Sequence, residues 1–123
     1  PVLDEAERQQ IDVGFECEPG LYLEYTSELA EWISRLGSAR LGANLDVGHS
    51  QVIGESIAGS IHRLRGRIWN MHVEGMAGRK HYHLIPGDPM DLLDWSGLKR
   101  AAKETEYDRF ATVELYTMAD DPH

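Results

Sequence analysis

Four short runs of alternating apolar and polar residues, the successive runs joined by helical patterns, constrain this chain more than any other feature. Residues 11–18 carry Val13, Phe15 and Cys17 at period two and close on Pro19-Gly20, which reads as a strand followed by a turn. "TSELAEWISRLG" follows: Thr26 or Ser27 is placed as N-cap, Leu29, Trp32, Ile33 and Leu36 recur at helical spacing, and Gly37 stands where a C-terminal cap belongs. Residues 41–46 form the second run. Ile53, Ile57, Ile61 and Leu64 then share one stripe of a helix predicted over 53–64, and "GRIWNMHVEG" gives a third strand over 67–74. A long polar loop fills 75–93, Asp94 caps a last helix to about residue 104, and "RFATVELY" makes the fourth strand. A helical lead-in precedes all of this, through Gln10. Strand and helix in alternation predict parallel strands joined by right-handed crossovers, an α/β class. Four such strands are half of an eight-stranded barrel, and the 123 residues read as one domain, 1–123.

Successive side chains of a strand point to opposite faces. In the third strand Trp69, Met71 and Val73 are expected under the helices, with Asn70, His72 and Glu74 opposite. The same division sets Phe15 and Cys17 against Glu16 and Glu18, Leu45 and Val47 against Asn44 and Asp46, and Val113 and Leu115 against Thr112, Glu114 and Tyr116. Each strand therefore ends in a carboxylate or imidazole on the face away from the helices. In parallel α/β folds the C-terminal ends of the strands are where sites are built. One such residue alone is an ordinary polar group wetted by solvent; four strands repeating the pattern point to a site. Carboxylates gathered at a barrel mouth repel one another and are costly to desolvate unless a cation joins them. Asp, Glu and His together suit Mn, Mg, Co or Zn rather than thiolate-loving metals.

A net charge of −9 repels phosphate backbones and anionic bilayers, so neither nucleic acid nor a membrane is expected as a partner. No apolar run approaches the roughly 18 residues that cross a bilayer, and no signal or transit segment is legible. The single Cys17 fits a reducing compartment, so a cytoplasmic location is expected.

"FECEPG", "LDVGH", "MHVE", "HLIPG" and "YDRFATVELY", in this order and spacing, resemble the C-terminal half of the xylose isomerase-like TIM barrels, which include sugar isomerases and 3-epimerases and, as relatives, the apurinic endonucleases. The resemblance runs from about Ile11 to Tyr116 and implies strands five to eight of a TIM barrel. It also implies that Glu16, Asp46, His72 and Glu114 bind one divalent metal. Glu16 and Glu114 would be the catalytic pair that moves a proton between carbons of an open-chain sugar through an enediolate. His49 would contact substrate or a further metal, with Glu74, His83 and Glu18 as further substrate contacts; Glu18 alternatively acts only behind the ligands. His81 and His83 either touch substrate or hold an extra metal, as in the endonucleases.

Two departures qualify what is implied. The family's usual "GEG" and short "IDW" are replaced by "GDPMDLLDW", so the loop over the site differs. The first four strands are absent, which counts against phosphodiester cleavage because the endonucleases take further histidines from that half. The expected function is therefore a metal-dependent sugar isomerase or 3-epimerase. The alternative is an inactive half barrel that binds metal and self-associates. Open sheet edges and an uncovered inner face predict a homodimer or higher homo-oligomer.

Overall fold

The structure is a computed structural model, and it describes residues 1–115. The elements run α1 (Val2–Gln9), β1 (Val13–Phe15), α2 (Thr26–Leu36), β2 (Leu41–Asp46), α3 (Val47–Ile53), α4 (Ile57–Arg63), β3 (Ile68–Val73), α5 (Trp95–Glu104) and β4 (Phe110–Val113). The four strands form one sheet in the order β1-β2-β3-β4, every neighbouring pair parallel. This is the α/β arrangement of part of a TIM barrel, as the alternation predicts. Tyr116, expected on the inner face of the fourth strand, lies outside the described residues.

The core lies between the sheet and its helices. Leu29 of α2, Ile61 of α4 and Met71 of β3 are almost wholly enclosed, as are Leu64 and Met76 just beyond α4 and β3. Each such side chain contributes roughly 1.5–3 kcal/mol by leaving water. α4 packs against both α2 and α5. All three helices therefore cover one face of the sheet, and among the described residues the opposite face is left open.

Local chemistry moves several boundaries. The N-cap of α2 is Tyr25, one residue earlier than expected, because Glu28 reaches back to accept from the backbone N–H of Tyr25 (3.0 Å) and Glu24 (3.1 Å). The Thr26 hydroxyl meanwhile donates to Glu55 at 2.7 Å. The single helix expected over 53–64 is two helices. Gly54, at φ 83°, ends α3 in the left-handed region, and Ser56 caps α4 by accepting from Gly59 N–H. β1 covers only three of the eight residues predicted, because it is an edge strand paired on one side alone.

One face assignment is reversed. Along β2 the register steps from Ala43↔Ile68 to Asn44↔Asn70, so Trp69 is the extra residue of a bulge. An inserted residue flips the parity of what precedes it. Ile68 accordingly joins the core, while the Trp69 ring lies where a Cβ on Gly42 would point, on the face that Asn44 shares. Arg109 stacks on that ring at 4.3 Å, and Trp69 Nε1 donates to the Arg40 carbonyl at 3.0 Å. Met71 and Val73 face the helices as expected.

Candidate metal centre

Glu16 follows β1, Asp46 closes β2, His72 is the penultimate residue of β3, and Glu114 follows β4. Parallel strands bring these ends to one rim. One ligand atom from each of the four side chains lies within 4.8 Å of the others. His72 Nδ1 is 2.9 Å from Glu114 Oε2, 3.4 Å from Glu16 Oε1 and 3.9 Å from Asp46 Oδ2. Glu16 and Glu114, on opposite edges of the sheet, thus flank the same imidazole nitrogen. Each keeps about a third of its side-chain surface open.

Asp46 is held differently. Its Oδ1 caps α3 by accepting from His49 N–H at 2.7 Å. Its Oδ2 is buried with no hydrogen-bond partner among the described residues. A buried carboxylate oxygen left this way costs free energy comparable to a lost hydrogen bond, or more, unless a proton or cation meets it. An oxygen-rich set of three carboxylates and one imidazole, with that bare oxygen turned among them, fits a hard or borderline divalent cation.

The sheet and α3 bring His49 to the same rim. Its Nδ1 lies 2.9 Å from the Cys17 carbonyl, which can only accept, so Nδ1 carries a proton toward it. Nε2 faces His81 Nε2 at 2.9 Å, and both Glu18 Oε2 and Asp46 Oδ2 at 3.6 Å. His83 is fully enclosed, with Nδ1 3.2 Å from the Glu114 carbonyl. His49, His81 and His83 form a second set of converging donor atoms. Burial lowers the His81 pKa, assisted by the neighbouring His49 and His83.

Glu74 is fully buried over Gly48 rather than open to the rim. Burial, then the charges of Asp46 and Glu114, push its carboxyl up to about 9, and neither of its oxygens has a hydrogen-bond partner among the described residues. The Cys17 thiol is pushed up to about 12, first by burial and then by Glu55, Glu28 and Glu16, so it is inert packing.

Two features carry no role in the sequence reading. Asn44, Asn70 and Thr112 each stand two residues before a member of the four-residue set, on the same face and one layer deeper, and are hydrogen-bonded to one another. Period two along each strand is the signal that finds them. Asp91, in the "GDPMDLLDW" loop, accepts from Met76, Gly87 and Leu93 N–H and from Trp95 Nε1 at 2.6–3.0 Å. Gly87, Leu93 and Trp95 lie within four residues of it, and only the Met76 N–H is brought to it by the return of the loop.

The family model for xylose isomerase-like TIM barrels matches residues 1–123. No curated protein matches the chain. Among solved structures, a D-tagatose 3-epimerase-like protein superposes with a TM-score of 0.80 at 22% identity, over 93% of this chain and 44% of that one. A D-psicose 3-epimerase from Clostridium cellulolyticum H10, solved with D-tagatose, gives 0.80 at 20% identity, over 93% and 38%. A 3-keto-D-glucoside 4-epimerase from E. coli gives 0.79 at 18%, over 98% and 44%. Identities this low establish the fold, and the chain spans less than half the length of each of these proteins. With the whole sequence matched by the family model and the parallel half barrel matched by these structures, the chain belongs to the xylose isomerase-like TIM barrel family.

Proposed function

We propose that the chain carries the metal-binding rim of a sugar isomerase or 3-epimerase, with Glu16, Asp46, His72 and Glu114 as ligands of one divalent ion, Mn, Mg, Co or Zn. The observation that supports it most is the convergence of these four side chains from four strand ends, with Asp46 Oδ2 buried and bare among them. When bound, such an ion polarises carbonyl and hydroxyl oxygens of an open-chain sugar and offsets negative charge that develops on them.

The chain's own residues supply the proton transfer. Glu16 and Glu114 stand on either side of His72, so one carboxylate takes the proton from a carbon beside the carbonyl and the other returns one, through an enediolate. Glu18 and His49 border the rim and are the residues we assign to substrate hydroxyls, while Glu74 and His83 sit enclosed behind them. The sugar 3-epimerases among the similar structures favour a small ketose as substrate.

The chain spans less than half of those structures and both outer strands are open, which favours a second reading: a half barrel that binds metal and self-associates without turnover. One experiment separates the two. The purified chain is incubated with Mn2+ or Co2+ and a panel of ketohexoses, C3 epimers are resolved by chromatography, and a thermal melt is run with and without metal. Epimerisation that Glu114→Gln abolishes while its metal-dependent melt persists supports the enzyme. Metal stabilisation without turnover supports the half barrel. A Glu114→Gln protein that remains active removes Glu114 from the proton transfer.

A further inference from the structure

One layer below the rim a chain of side-chain hydrogen bonds crosses three strands. Thr112 Oγ1 of β4 donates to Asn70 Oδ1 of β3 at 3.1 Å, and Asn70 Nδ2 donates to Asn44 Oδ1 of β2 at 2.9 Å. Asn44 Nδ2 then donates up to Glu16 Oε2 at 3.1 Å and lies 3.2 Å from Nε2 and 3.5 Å from Nδ1 of the His72 ring. The direction of the chain follows from its end. An ionised Glu16 only accepts, so the Asn44 amide must turn its NH2 to Glu16 and its carbonyl to Asn70. One amide proton is then used on Glu16, and the same NH2 group lies against the His72 ring. Gly14 leaves room for this, since a Cβ there would stand 3.4 Å from Asn44 Cβ and 3.3 Å from Asn44 N.

We propose that Asn44, oriented by Asn70 and Thr112, is a positioning residue for the metal centre. It pins Glu16 Oε2 and thereby leaves Oε1 as the oxygen turned to the other ligands, and it packs against the His72 ring from the layer below. A ligand that must first be ordered binds more weakly than one already held, and groups of this kind behind a metal typically change affinity by about 10- to 100-fold. The inference rests on the metal reading of the four-residue set.

The test is Co2+ binding to the purified chain, measured by titration calorimetry and by the visible absorption of the bound ion, with far-UV circular dichroism as a check of fold. Asn44→Leu, close in size but without donors, is expected to weaken Co2+ binding about 10- to 100-fold and to change the absorption envelope. Asn70→Leu, which leaves Asn44 in place but unheld, is expected to weaken it less, about 3- to 10-fold, below that range. Thr112→Val is nearly isosteric and keeps the proposal testable if either leucine variant fails to fold: a measurable loss of affinity supports it. Wild-type affinity and spectrum in the folded variants overturn the positioning role alone. A wild-type chain that binds no Co2+ overturns the metal reading, and the positioning role with it.

Discussion

Gly48 is a glycine because of what lies over it. A Cβ there would collide with Glu74 Oε1 and come within 2.8 Å of Glu74 Cδ and of Met76 Sδ, and both neighbours are wholly enclosed. The constraint is one of space rather than of backbone angle, and the enclosed side chains have nowhere to retreat. Gly48→Ala is therefore expected to destabilise the chain by about 1–3 kcal/mol through overpacking. Comparison of denaturant midpoints for wild type and variant checks it, and equal midpoints would show that Glu74 can move aside. Asp46, two residues earlier, shows how one side chain serves two ends: Oδ1 caps α3, which holds the carboxylate still, and Oδ2 is thereby turned to the rim. The residue type and the following "VGH" were legible in the sequence. That one oxygen would be left bare was not, since it depends on which side chains the folded sheet packs around it.

At the scale of elements the loop between β3 and α5 is the part least like its expected form. It is not loose: Gly75 and Leu84 pair by two backbone hydrogen bonds of 2.7 and 2.8 Å, and Leu92 N–H donates to the Met76 carbonyl. Asp91 gathers it. Burial alone would raise this carboxyl, but the N–H groups of Gly87 and Leu93, the Trp95 indole and Met76 N–H together hold it below its ordinary value of 3.8. A depressed carboxyl stabilises the fold above the unfolded value and loses that contribution as pH falls through the folded one. Asp91→Asn is thus expected to cost about 1.5–3 kcal/mol near neutral pH, in line with hydrogen bonds to a charged group. The gap between the two melting curves should be full above pH 3.8 and shrink below it. A gap that does not change with pH would mean the charge on Asp91 is irrelevant. The same loop carries His81 and His83 to His49, so its order bears on the rim.

For the whole molecule the open sheet decides the behaviour. Among the described residues β1 and β4 each have one neighbour, so each presents a row of backbone groups unpaired there, and parallel sheets are ordinarily covered on both faces. Apolar side chains stand exposed along both edges: Phe15 at 45% on one, Phe110 at 82% and Val113 at 51% on the other. We expect the isolated chain to associate through these edges. Light scattering at micromolar concentration should return at least twice the 13.9 kDa chain mass. A clean monomer with a cooperative melt would show that the edges are tolerated in water. A charge placed at an edge, Val113→Lys, is expected to reduce the association, because an inward or edge lysine blunts strand pairing.

The sequence by itself determined the alternation of strand and helix, and with it the parallel sheet, because periods of 2.0 and 3.6 are properties of neighbours along the chain. It also determined that Glu16, Asp46, His72 and Glu114 would stand on one face at one end, since parity and strand ends are local as well. The break at Gly54, which splits one apolar stripe into two helices, is local too, because a left-handed glycine cap followed by the Ser56 cap outweighs continued periodicity. Tertiary structure alone decided two things. The bulge at Trp69 depends on how β3 registers against β2, which no run of residues within β3 encodes. The bond network of Asn44, Asn70 and Thr112 joins three strands, and hydrogen bonds between side chains 26 and 42 positions apart exist only once the sheet has formed.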